Sequence, residues 1–138
     1  MDHAEDDTTL LEAVRLAMAV SVRAADAIGD ISPVQLRALT VLHGASGANL
    51  GRLAQELGVT MSTTSRLVDR LSAAGLVART PSEQNRREIS LALTRQGRRT
   101  LDRYDQLRLE QLRACLERVP SADRAAVVTA LAAVVRAG

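Results

Sequence analysis

Ser62, Thr63, Ser65, Arg66 and Arg70 crowd one short stretch of this chain, and Arg86-Arg87 follow soon after it. Hydroxyl and guanidinium groups in this mixture bind rather than catalyse. Short hydroxyls let a backbone come close to a polyanion and bond its phosphate oxygens or base edges. A guanidinium fork reads guanine or phosphate through two parallel hydrogen bonds. Groups suited to covalent chemistry are sparse. His3 and His43 are the only histidines, and Cys115 is the only cysteine. No His-x-x-x-His pair, paired cysteines, carboxylate cluster or phosphate-cradling glycine pattern accompanies them. The chain is accordingly read as a non-enzyme, with no metal and no cofactor.

The elements that must hold the basic and hydroxyl groups are legible in the spacing. Leu50, Leu53, Ala54 and Leu57 recur at i, i+3, i+4 and i+7, one face of a short helix. Gly58 ends it where a left-handed residue is needed. Thr60 is placed to cap the next helix, whose inward stripe is Met61, Thr64, Leu67, Val68 and Leu71. Ser62, Thr63, Ser65, Arg66, Asp69 and Arg70 are left facing out, and Gly75 closes the helix. A strand starts at Leu76-Val77-Ala78. A second follows, with Ile89, Leu91 and Leu93 alternating with Ser90 and Ala92. The polar loop between them, from Arg79 to Glu88, projects Arg86 and Arg87. Taken singly, these are a solvated helix and a solvated hairpin tip. Taken together they are a winged helix-turn-helix: one helix sized for the major groove of duplex DNA, with a hairpin for the neighbouring minor groove or backbone.

Charge follows the same division. The net charge of the 138 residues is only +2, but 1–30 carry seven acids against two Arg, a balance of −5. Over 52–99, nine Arg face four acids, a balance of +5. The positive field therefore sits on the half proposed to read DNA. Every basic residue is Arg, throughout the chain, so the bias carries no functional weight. Tyr104 is the only aromatic residue, and without stacking platforms duplex DNA is favoured over single strands. No apolar run is long enough to span a membrane, the acidic start lacks a signal-peptide core, and a lone cysteine suits a reducing compartment. A soluble cytoplasmic protein is expected.

The remaining segments read as a helical frame. Thr9-x-x-Glu12 has the form of a capping box, followed by an apolar stripe of Leu10, Val14, Ala17, Met18, Ser21, Ala25 and Ile28, widened by Val22. Ser32-Pro33-Val34-Gln35 starts a second helix, with Leu36, Leu39 and Leu42 inward. Thr94 caps a long helix to about Arg118, and Pro120-Ser121-Ala122-Asp123 separates it from a last helix. There Val127, Val128, Leu131, Val134 and Val135 form a stripe too apolar to stay solvated, which predicts a second copy as its cover. The fold is thus mainly α: a winged helix-turn-helix at 31–94 with a small β-hairpin wing. It is flanked by an N-terminal dimerisation helix at 1–30 and C-terminal dimerisation helices at 95–138.

The chain resembles the multiple-antibiotic-resistance regulator (MarR) family of bacterial transcription factors. The residues carrying the resemblance are Leu67-Val68-Asp69-Arg70-Leu71, Gly75-Leu76-Val77, Arg79, Asn85-Arg86-Arg87, and Leu93-Thr94 with Gly97. The family's wing pattern is Asp-x-Arg, and Asn85 stands where the Asp is usual, an acceptor without charge. The resemblance implies a homodimer binding a pseudo-palindromic double-stranded operator, most simply as a ligand-responsive repressor. The expected DNA contacts are Ser62, Thr63, Ser65, Arg66, Arg70, Arg86 and Arg87, with Asp69 and Asn85 orienting the wing and Asp69 pairing with Arg87, or, as the alternative, within its own helix with Arg66 or Arg70. It also implies a small-molecule effector between the frame and the DNA-reading half. Met18, Val22, Leu39, His43 and Tyr104 are the candidate lining. Two alternatives stand beside this reading. One is a redox sensor acting through Cys115, whose plainer role is a small core residue. The other is a winged helix used for protein interaction without DNA.

Overall fold

The computed structural model describes residues 3–85 and 87–138. Among them the order is α1 (His3–Ile28), α2 (Pro33–Gly44), α3 (Leu50–Leu57), α4 (Met61–Ala73), β1 (Val77–Pro81), β2 (Ile89–Leu93), α5 (Arg95–Glu117) and α6 (Ser121–Ala137). The mainly helical class with one antiparallel hairpin is as expected. The hairpin register runs from Val77 opposite Leu93 to Pro81 opposite Ile89. Ala48 adds an isolated bridge to Leu91, with Leu91 N–H donating to Ala48 O (2.9 Å) and Gly47 N–H to Leu91 O (3.1 Å). The loop before α3 is thereby stitched to the root of the wing.

The core lies where α2, α3, α4 and the hairpin converge on the first half of α5. Leu36, Leu39, Leu42, Leu53, Val68, Leu71, Leu91 and Leu101 are fully or almost fully buried there. Local signals fix the ends of these elements. Ser32 Oγ accepts from Gln35 N–H (3.2 Å) and Gln35 Oε1 from Ser32 N–H (2.7 Å), the reciprocal box expected at α2. Gly58 has φ +66, and the turn closes by Gly58 N–H to Gln55 O and Val59 N–H to Ala54 O, both 3.2 Å.

Several expectations are corrected. Thr9 caps nothing: α1 begins at His3, and Thr9 Oγ1 donates to Glu5 O (3.0 Å) inside the helix. A hydroxyl can return its proton to the preceding turn as readily as it can cap. The face of α1 that meets this chain's own core is Val20, Ala24 and Ala25, whereas Leu10, Val14, Met18 and Val22 are exposed. Met61 and Ile89, expected inward, are 52% and 54% exposed, because each lies at the first position of its element, beyond the edge of the core. Leu112 on α5 is likewise exposed. Helix α6 starts at Ser121 with Pro120 at its N-cap position and no side-chain cap, and none of its residues is buried.

The contrast between Ser32 and Thr9 is measurable. Ser32→Ala should lower unfolding free energy by about 1 kcal/mol through the lost cap. Thr9→Ala, in an exposed helix interior, should leave it unchanged or slightly raised. Urea unfolding at one fixed protein concentration decides this, and equal losses for the two variants would contradict the assigned start of α1.

Candidate nucleic-acid interface

Helix α4 owes its presentation to its cap. Thr60 Oγ1 accepts from Thr63 N–H (3.2 Å), donates to Thr63 Oγ1 (2.9 Å) and lies 3.2 Å from Ser62 Oγ. Three hydroxyls are thus gathered at the positive end of the helix. Thr63, having accepted from Thr60, keeps its own proton to donate outward. The opposite face is anchored by Thr64, Leu67, Val68 and Leu71, all buried. Thr64 Oγ1 satisfies itself on Thr60 O (2.9 Å). This anchoring turns Ser62, Thr63, Arg66, Asp69 and Arg70 to solvent, as expected, whereas Ser65, expected to face out with them, is half-buried. Among the described residues, none of Arg66, Arg70 and Arg87 is held in an ion pair. Their charge is available to an external anion.

The wing is fixed to α4 differently from the expectation. Asp69 pairs with Arg79 on β1, not with Arg87. An in-helix pair with Arg66 or Arg70 is not formed either. The reason is reach: Arg79 stands at the base of the hairpin, beside α4, whereas Arg87 is in the distal turn. Ser72 Oγ adds a second tie, donating to Val77 O (3.2 Å). Asn85 orders the turn through its amide instead of a charge: Asn85 Oδ1 accepts from Arg87 N–H (3.1 Å), and Glu88 N–H returns to Asn85 O (2.9 Å). Ser82 N–H meets Glu88 O (2.9 Å) across the mouth of the loop. Arg86 lies outside the described residues, and Arg87 is exposed.

The five residues read as an effector lining are not brought together. Leu39 and Tyr104 belong to the core, Met18 and Val22 lie on the open face of α1, and His43 is exposed. Arg98 Nη1 lies 3.0 Å from His43 Nδ1. Since a guanidinium only donates, Nδ1 is the acceptor. Tyr104 lies instead under Arg108, whose guanidinium carbon is 4.1 Å from the ring centre. The cavity that does exist between α1 and α5, of about 400 Å³, is bounded by Val20, Ser21, Asp105, Arg108 and Leu112. Cys115 is free and half-buried on α5. Reading the sequence missed two positioning residues. Asn49 caps α3 by accepting from Arg52 N–H (2.8 Å), a signal present in its place just before Leu50. Arg79 as the partner of Asp69 had no local signal.

A capped helix held against a helix-turn-helix core, with a two-stranded hairpin tied to its flank, defines a winged helix-turn-helix protein. A family model described as the MarR family matches residues 29–88. The solved structure of RV1404 from Mycobacterium tuberculosis superposes with a TM-score of 0.88 at 34% identity, covering 100% of this chain and 95% of that one. The uncharacterized HTH-type transcriptional regulator YfiV of Bacillus subtilis is 28% identical over 108 residues, 78% of this chain and 68% of its own. The transcriptional repressor CouR, solved bound to a 23-mer DNA duplex, matches at TM-score 0.68 and 27% identity, covering 92% of this chain and 89% of that one. The chain belongs to the MarR family of transcriptional regulators.

The Asp69–Arg79 pair is exposed, so Asp69→Asn should lower global stability by less than about 1 kcal/mol. Its effect should be local. Amide exchange across the β1–β2 ladder, followed by NMR, should accelerate in the variant while the α2 amides stay unchanged. Unaltered exchange in the ladder would show that the pair does not hold the wing.

Proposed function

We propose that this chain binds double-stranded DNA as a homodimer at a pseudo-palindromic operator and represses transcription there. The observation that carries the reading is the solvent face of α4. Hydroxyls sit at its capped end, and unpaired Arg66 and Arg70 run along it, beside a wing tied on by Asp69–Arg79. In this reading α4 enters the major groove. Ser62, Thr63 and Ser65 meet phosphates and base edges, Arg66 and Arg70 read bases or phosphates, and Arg86 and Arg87 approach the adjacent minor groove. Asp69 and Asn85 keep the wing in place. The DNA duplex bound by CouR makes the same partner reasonable for this chain.

Surface area supports the dimer. The protein exposes 9825 Å², whereas a compact monomer of 14.8 kDa exposes about 7,000 Å². The excess is about 2,800 Å² per copy, the scale of an obligate interface. Large apolar side chains are bare at both ends of the chain: Leu10, Val14 and Met18 on α1, and Val128, Leu131, Val134 and Val135 on α6. Effector control rests on the family. The α1–α5 cavity, at about 400 Å³, is within the range of small-molecule sites and replaces the set read from the sequence.

Titration of a duplex carrying the region upstream of its own coding sequence tests the reading. Arg66→Ala should weaken binding by about 1–3 kcal/mol and relax preference at one position of each half-site. Arg87→Ala should weaken binding to all duplexes. It should reduce the salt dependence by about 0.9 in slope for each phosphate no longer neutralised, hence roughly 1.8 for a dimer. Salt-independent binding, or none by the wild type, would sink the DNA reading. Sedimentation of a monomer at micromolar concentration would sink the dimer.

A further inference from the structure

Helix α5 enters the fold through an unusually close contact with the turn between α4 and β1. Thr94 N–H donates to Leu76 O (3.1 Å), and Thr94 Oγ1 donates to Gly75 O (2.6 Å) while accepting from Gly97 N–H (3.0 Å). One side chain thus caps α5 and fastens it to the end of the recognition helix. Gly97 is buried against the same turn. An ideal Cβ there would lie 2.0 Å from Leu76 O and 3.0 Å from Leu76 C. The obstacle is backbone, flanked by Leu71, Leu76 and Val77 of the core, so it cannot swing aside as a side chain would.

We propose that this Thr94–Gly97 joint sets the separation of the two recognition helices in the dimer, and with it the half-site spacing the protein accepts. The inference rests on the dimeric DNA-binding reading above. Its physical basis is leverage. With 23 residues, α5 is about 34 Å long. Its first turn is fixed to α4 and β1 by the joint, and its far end leads into the bare apolar surface of α6. A change of about 10° at the joint moves the far end by about 6 Å over a helix of that length, or nearly two base-pair steps of about 3.4 Å. A methyl group at Gly97 demands a displacement of more than about 1 Å to reach ordinary contact, applied at the fulcrum. Thr94 and Gly97 are therefore positioning residues: they touch no DNA themselves.

The test reads geometry and binding separately. Met61, exposed at the start of α4, is replaced by Cys in a Cys115→Ala background and spin-labelled, and the distance between the two labels of the dimer is measured by pulsed electron resonance. The same joint substitutions, without the label, are titrated with duplexes whose half-sites differ by single base pairs. Gly97→Ala should shift or broaden the inter-label distance by several ångströms and lower affinity for the best wild-type spacing at least tenfold, with the preferred spacing changed. Thr94→Val should do the same more weakly, and Thr94→Ser, which keeps the hydroxyl, should restore the wild-type distance and spacing. Should Gly97→Ala fail to fold, the Val and Ser variants of Thr94 decide alone. Folded variants with the wild-type distance and spacing would overturn the proposal. If no duplex is bound by the wild type, the DNA reading falls, and the distance measurement still decides the joint. Absence of any dipolar coupling in the wild type would mean there is no dimer, and both readings would fall.

Discussion

The absence of a single methyl group governs how the two halves of this protein are joined. At Gly97 the long helix comes so near the Leu76 carbonyl that a Cβ would overlap it at 2.0 Å. The Thr94 hydroxyl turns the same approach into two hydrogen bonds, one to each side of the junction. Three elements meet at this place. Helix α4 ends at Ala73, the wing begins at Val77 and the frame helix begins at Arg95, all around one short turn. The buried stripe of Thr64, Leu67, Val68 and Leu71 then fixes the roll of α4 about its axis. The ion pair of Asp69 with Arg79 adds little energy at its exposed position. Its value is geometric, holding the base of the wing beside the helix it accompanies.

The other constraint is what the chain leaves bare. The basic half buries its apolar residues in an ordinary way, with the leucines of α2, α3 and α4 and the hairpin around Leu101. The two ends do not. Helix α6 has no buried residue, and Val135 is 79% exposed. Apolar surface of this extent is costly in water. In the proposed dimer a second copy would cover it without requiring a further partner. Closed two-fold association also places two basic faces in a symmetric relation, the geometry a pseudo-palindrome needs.

Elements with strong local punctuation were readable from the sequence. The Ser32–Gln35 box, the Gly58 turn, the Thr60 and Thr94 caps, and the alternation ending in Leu91 and Leu93 each carry their signal within a few residues. They marked α2 to α5 and the hairpin nearly to the residue. The solvent face of α4 followed from period alone. What escaped depends on relations between distant residues. Helix α1 carries apolar side chains on two faces, one for its own core (Val20, Ala24) and one left open (Leu10, Val14, Met18), and periodicity cannot say which is which. The partner of Asp69 is settled by how the hairpin leans on α4, which brings Arg79 within reach and leaves Arg87 at the tip. The residues of the effector reading lie apart for the same reason: Leu39 and Tyr104 are core, while Met18 is 65% exposed.

In the proposed complex, two copies of α4 are presented to one face of a DNA duplex at a spacing fixed by the frame. Hydroxyl-radical footprinting on the duplex upstream of its own coding sequence tests this most directly. The predicted result is two protected stretches related by two-fold symmetry, with centres about 10 base pairs apart on the same face of the helix. A single protected stretch, or two without that symmetry and phase, would contradict it.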